Sequence, residues 1–141
     1  TRVPVRPILA AFRTRILAID GVSALVADRV YPAHLADVAE PAYPCVTLFH
    51  LRAKRGVWMP RINDPGVLLI QSWSKVDMDE VLNLYELVSE GLHTQVTRTS
   101  GGNVCFHEVR EVDSRGPTWV AEDSVWLMSA WIHYRASTHP G

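Results

Sequence analysis

Cysteine is scarce in this sequence. Only Cys45 and Cys105 occur in 141 residues, too few for a disulfide scaffold. Both stand among apolar neighbours in strand-like stretches, which reads as a pair of small buried thiols; a bond between them stays open. Excess charge is lacking too, since 14 basic and 15 acidic residues leave a net charge of -1. No global field draws the chain to nucleic acid or to an anionic membrane. No apolar run approaches the ~20 residues of a membrane-spanning helix. The first residues, Thr1-Arg-Val-Pro-Val-Arg-Pro7, lack the apolar stretch of a secretory leader. The expectation is a soluble intracellular protein.

Catalytic signatures are equally sparse. The histidines His34, His50, His93, His107, His133 and His139 never show the i, i+4 spacing of a helical metal pair. Cys105-x-His107 places two side chains on one strand face, whereas zinc takes three or four ligands. Asp77-x-Asp79-Glu80 has carboxylates for a divalent ion. The same residues complement a helix dipole and cap free N–H groups, and that reading is preferred. Ser100-Gly-Gly lacks the Gly-Lys-Ser/Thr ending of a phosphate loop, and Ser129 lies inside a strand rather than on a nucleophile elbow. No catalytic, cofactor-binding or metal-binding residue is assigned, and no cofactor is expected. The residual enzyme reading is a small metal-dependent enzyme using Asp77, Asp79, Cys105 or His107.

What is present suits one domain over residues 1–141. A chain of this size buries roughly 68% of its unfolded surface. Pro7 fits the first turn of a helix, and Ile8, Leu9, Phe12, Ile16 and Ile19 recur at helical spacing, with Arg13 and Arg15 pointing elsewhere. Asp20-Gly21 stops this helix at a left-handed cap. A short second helix follows, with Ser23 as its cap and Leu25 and Val26 facing inward. Residues 32–44, with Pro32, Pro41 and Pro44, read as a loop. Strands are expected at Cys45–Arg52, Val67–Trp73, Val104–Val112 and Val125–Arg135, with Trp119-Val120 extended after a turn at Asp113–Pro117. The third and longest helix opens at Asp77, with Asp77 and Glu80 at capping-box spacing and Val81, Leu84, Tyr85, Val88 and Leu92 as its buried stripe. The fold class is α+β: about four strands in a mainly antiparallel or mixed sheet, with helices packed on one face.

Residues 53–65 stand apart. They link two strands but exceed a usual hairpin loop, and they combine Lys54, Arg55 and Arg61 with Trp58 and Met59. They read as a projecting arm or loop. Trp119 is a second tryptophan in or beside a connection. Tryptophan and arginine are enriched in interface anchors. One aromatic among few charges makes a poor nucleic-acid groove, so Lys54, Arg55, Trp58, Met59, Arg61 and Trp119 are the candidate protein-interface residues.

Several stretches, taken in order, resemble the tail terminator, or tail completion, proteins of long-tailed bacteriophages and gene-transfer particles. They are Leu25-Val-Ala-Asp-Arg-Val-Tyr-Pro32, Pro41-Ala-Tyr-Pro-Cys-Val-Thr-Leu48, Ile70-Gln-Ser-Trp-Ser74 running into Asp79-Glu-Val, and the aromatic-rich Trp126–Tyr134. The resemblance spans residues 7–136. It implies a non-catalytic virion protein at the tail and neck, assembled in the host cytoplasm. Its implied form is a homo-hexameric ring that caps the tail tube and meets the head-side connector or stopper. DNA would pass through the lumen without sequence-specific contact, and no membrane is involved. The alternative within virion assembly is a head-completion or connector stopper protein.

Overall fold

The computed structural model describes residues 5–32, 42–53, 64–92 and 104–138. Helix α1 spans Val5–Leu17 and α2 spans Val22–Val26. Strand β1 is Val30–Tyr31, β2 is Cys45–Ala53 and β3 is Asp64–Ser74. Helix α3 is Met78–Leu92, followed by β4, Val104–Val120, and β5, Val125–Thr138.

Helix α1 buries Ile8, Phe12 and Ile16, the face its apolar spacing predicts. Gly21 takes the expected left-handed conformation at φ 89° and stands at the N-cap of α2 without a side-chain cap bond. Ser23, expected as that cap, lies within the helix and is exposed. Val22 and Val26 are the buried residues of α2, with Leu25 packed at the edge of the core. Arg15 also departs from expectation. It turns inward, 9% exposed, with its guanidinium 5.6 Å above the Phe106 ring, an arrangement a planar cation favours. Arg13 ties α1 to the sheet by donating to the Val30 and Asp28 carbonyls.

The sheet has five strands in the order β1-β2-β3-β5-β4. The extra strand is β1, which pairs in parallel with β2 through Val30↔Val46 and Tyr31↔Thr47. Two residues give no periodicity, so sequence reading leaves them as a run-in to a loop. The remaining pairings are antiparallel. Strand β4 is also longer than expected. The turn expected at Asp113–Pro117 does not end the strand, which continues to Val120 with register shifts at Phe106/Glu108, Glu111/Asp113 and Arg115/Thr118. Bulges absorb the residues that break alternation, with Gly116 at φ 121° in the last one. Asp64 and Pro65, beyond the expected start of β3, pair with β5 alone among the described residues. A proline is tolerable there because it removes no β2 bond.

The helices cover one face. From the sheet, Val46, Leu48, Leu68, Ile70, Phe106, Val109, Ala130, Ile132 and Tyr134 meet Ile8, Phe12, Ile16, Val22, Val26, Leu84, Val88 and Leu92. Phe12 anchors this layer, 4.7 Å from Phe106 and 5.7 Å edge-on to Tyr134. A fully buried Leu or Phe here contributes about 1.5–3 kcal/mol. The opposite face carries a smaller cluster of Cys45, Trp73 and Val125 with Tyr31, Tyr43, Val120 and Leu127. Trp73 donates its indole N–H to Thr47 Oγ1 at 3.0 Å, which satisfies the group its burial strips of water.

Candidate functional site

The two ends of the sheet differ chemically. At one end, β3 runs into α3 and β4 turns into β5. Ser74 sits opposite Trp126 in the β3–β5 ladder, and Trp126 sits opposite Trp119 in the β5–β4 ladder, which brings all three onto one line across the sheet. The two indoles contact each other at 5.2 Å, as a cross-strand aromatic pair does. Trp119 is nevertheless 47% exposed.

The start of α3 is fixed by a small polar network. Asp77 accepts from the Glu80 N–H at 2.8 Å, which is the cap expected from sequence. Glu80 does not complete the reciprocal box. Its carboxylate accepts from the Ser74 hydroxyl at 2.7 Å, and Ser74 Oγ in turn accepts from the Val76 N–H at 3.1 Å. This network carries Val76 and Met78 out of the core, 70% and 42% exposed. An apolar residue just before the cap usually staples onto the fourth helical residue, here the fully buried Val81; Val76 does not. Neither Val76 nor Met78 disturbs the sequence periodicity. The signal available was an apolar residue at the staple position. Exposed carboxylates of Asp77 and Asp79 flank these side chains, and those of Glu122 and Asp123 lie in the turn after Trp119.

At the other end, β2 leaves the sheet at Ala53 and β3 enters at Asp64. Lys54, Arg55, Trp58, Met59 and Arg61 lie outside the described residues. Their root is well fixed. Gly66 pairs with Ala53 on one side and Tyr134 on the other, and a Cβ on Gly66 would stand 2.4 Å from the Tyr134 hydroxyl and ring. The absence of a side chain lets the Tyr134 ring lie across the strand, where its hydroxyl meets His50 Nε2 at 2.8 Å.

The residues of the metal-enzyme reading do not converge. Asp77 and Asp79 lie by the Trp119–Trp126 end, and Asp77 is engaged as a cap. Cys105 pairs with Ser137 near the far end of β5, eleven residues from Trp126 and so roughly 37 Å away at ~3.4 Å per residue. Cys45 and Cys105 do not pair either. Cys45 is a free, buried thiol, and three strand spacings, roughly 14 Å, separate β2 from β4, beyond the ~7 Å that a disulfide spans. Burial pushes the Cys45 thiol up to about 12, against a lowering influence of Arg29, so it is a poor nucleophile. A groove of about 400 Å³ between α1 and α3, lined by Ala18, Ile19, Asp20, Leu87, Glu90 and Gly91, contains carboxylates but no nucleophile. Among the described residues, no helix is long and apolar enough to cross a membrane.

The face away from the helices carries half-buried Phe49, Leu69 and Trp131 toward β2 and β3. Toward β4 it carries Glu108, paired with Arg110 at 2.9 Å and with Arg135 at 3.1 Å. Such exposed pairs are worth about 0–1 kcal/mol and orient side chains more than they stabilise.

No protein-family model and no curated protein matches this chain. Solved structures do. A chain from the virion of a native gene transfer agent particle matches with a TM-score of 0.67 at 14% identity, over 92% of this chain and 93% of that one. A second solved chain matches with a TM-score of 0.61 at 14% identity, over 99% of this chain and all 100% of that one. The likeness is one of fold, and along nearly its whole length this chain resembles a component of a gene-transfer-particle virion.

Proposed function

We propose that this chain is a structural virion protein, and within that class a tail terminator subunit. In this reading six copies form a ring at the head-proximal end of the tail, capping the tail tube and meeting the head-side connector. The observation that carries the virion reading is the fold match to a gene-transfer-agent virion chain over 92% of the sequence. The finer assignment to the tail terminator draws on the ordered sequence resemblance from Leu25 to Tyr134. Two features of the molecule are compatible with a ring. Apolar side chains are exposed at one end of the sheet, and a basic, aromatic segment leaves from the other. Head-to-tail contacts between unlike surfaces close into rings when the rotation allows it.

Electron microscopy of particles carrying a tagged copy tests the assignment. The expected image is six-fold density between tail tube and connector. Tagged density that touches the head adaptor but not the tube would replace this reading with the stopper. Absence of the chain from particles would remove both.

A further inference from the structure

Val76, Met78 and Trp119 are 70%, 42% and 47% exposed at one end of the sheet. The exposed segments that carry them, residues 75–79 and 119–124, hold the four carboxylates Asp77, Asp79, Glu122 and Asp123 against the single cation Lys75. That end of the sheet therefore combines exposed apolar side chains with an excess of negative charge. Residues 54–63 have the complementary composition, with Lys54, Arg55 and Arg61, no acidic residue, and the apolar Val57, Trp58, Met59 and Ile62 among them. We propose that the surface formed by Val76, Met78, Trp119, Glu122 and Asp123 receives the Lys54–Arg61 segment of a second copy of this chain.

Reach decides that the partner is another copy. Residues 54–63 are anchored at Ala53 and Asp64, neighbouring strands at the opposite end of the sheet. Ten residues fixed at both ends extend at most half their contour, roughly 17 Å at ~3.4 Å per residue. The ten steps of β3 from Asp64 to Ser74 cover roughly 34 Å. The segment cannot reach the acidic surface of its own chain, but a neighbour stacked end to end presents that surface directly. Such a joint joins unlike surfaces and repeats from copy to copy. An aromatic anchor in an apolar patch with charges at the rim supplies both affinity and orientation. The acidic rim disfavours nucleic acid as the occupant. The inference deepens the ring reading above and rests on it for self-association.

The test uses a fluorescein-labelled peptide of residues 53–65 as ligand. The receptor is the full chain carrying K54E/R55E/R61E, so that its own segment does not compete. Fluorescence anisotropy should show saturable binding that strengthens at low salt. Adding E122K/D123K, or W119A, to the receptor should weaken it at least about tenfold, while circular dichroism melts show the receptor still folded. No saturable binding up to ~1 mM, or binding indifferent to both receptor changes, overturns the proposal. Six-fold rings in particles together with an indifferent peptide would leave the ring and remove this joint; specific peptide binding without rings would do the reverse.

Discussion

Tyr134 packs its ring against Phe12 and Phe106, meets His50 through its hydroxyl and lies across Gly66. Gly66→Ala forces a methyl to within 2.4 Å of that ring and should cost about 1–3 kcal/mol in urea unfolding, the range for overpacking. Tyr134→Phe removes the hydroxyl that meets His50 and should cost about 0.5–1.5 kcal/mol. If Gly66→Ala proves the milder of the two, the close approach is not what selects glycine there. Cys45 gives a pH signature. Its folded value lies above the ordinary 9.0, at about 12, so the fold favours the protonated thiol. That contribution is fully present below pH 9 and is lost as pH rises toward 12. Cys45→Ala should flatten this part of the Tm-against-pH curve, although Tyr43 and Tyr85, both raised by burial, keep some alkaline sensitivity. Equal slopes for the two proteins above pH 9 would rule out the thiol as a contributor.

Among the elements, α3 was the most legible in the sequence. Its Asp77 cap and the buried Val81, Leu84, Val88 and Leu92 follow from spacing alone. Asp77→Ala should cost about 1 kcal/mol, measured by thermal or urea unfolding; no loss would mean that Ser74 and Glu80 hold the helix start without it. Spacing puts Tyr85 in the buried stripe, yet it is half-buried and donates to Glu111 at 2.6 Å, since a tyrosine at the edge of a stripe can keep its hydroxyl in a polar bond. Strand β4 was half legible. Its first part alternates, but Asp113-Ser-Arg-Gly-Pro117 carries every local mark of a turn. Pairing with β5 on its inner side overrides those marks, because a bulge accommodates an extra residue without ending the ladder. Of the candidate interface, the tryptophans and basic residues were visible as composition. The exposure of Val76 and Met78 was not, because it depends on how Ser74 and Glu80 meet in three dimensions.

At the scale of the whole molecule, the chain is read as a repeating part rather than a finished machine. Trp58→Ala with Arg61→Ala should leave the melting curve intact and reduce incorporation into particles, scored by immunoblot of purified virions. Normal incorporation would show that the segment takes no part in assembly, and a lowered melting temperature would place Trp58 in the core. The strand order has a further consequence for how the chain matures. Strand β5, the last strand among the described residues, lies inside the sheet between β3 and β4, and Phe12 rests on Phe106 and Tyr134. A chain in which residues 125–138 have not yet docked therefore lacks an interior strand and the Tyr134 ring that Phe12 meets. Long-range closure of this kind is slow, and it leaves apolar surface open until late. The Trp119–Trp126 pair also forms only when β5 docks. The acidic, aromatic surface proposed to receive a neighbour is thus completed only when β5 docks, so a chain whose sheet is still open there cannot offer that surface and enter the assembly prematurely.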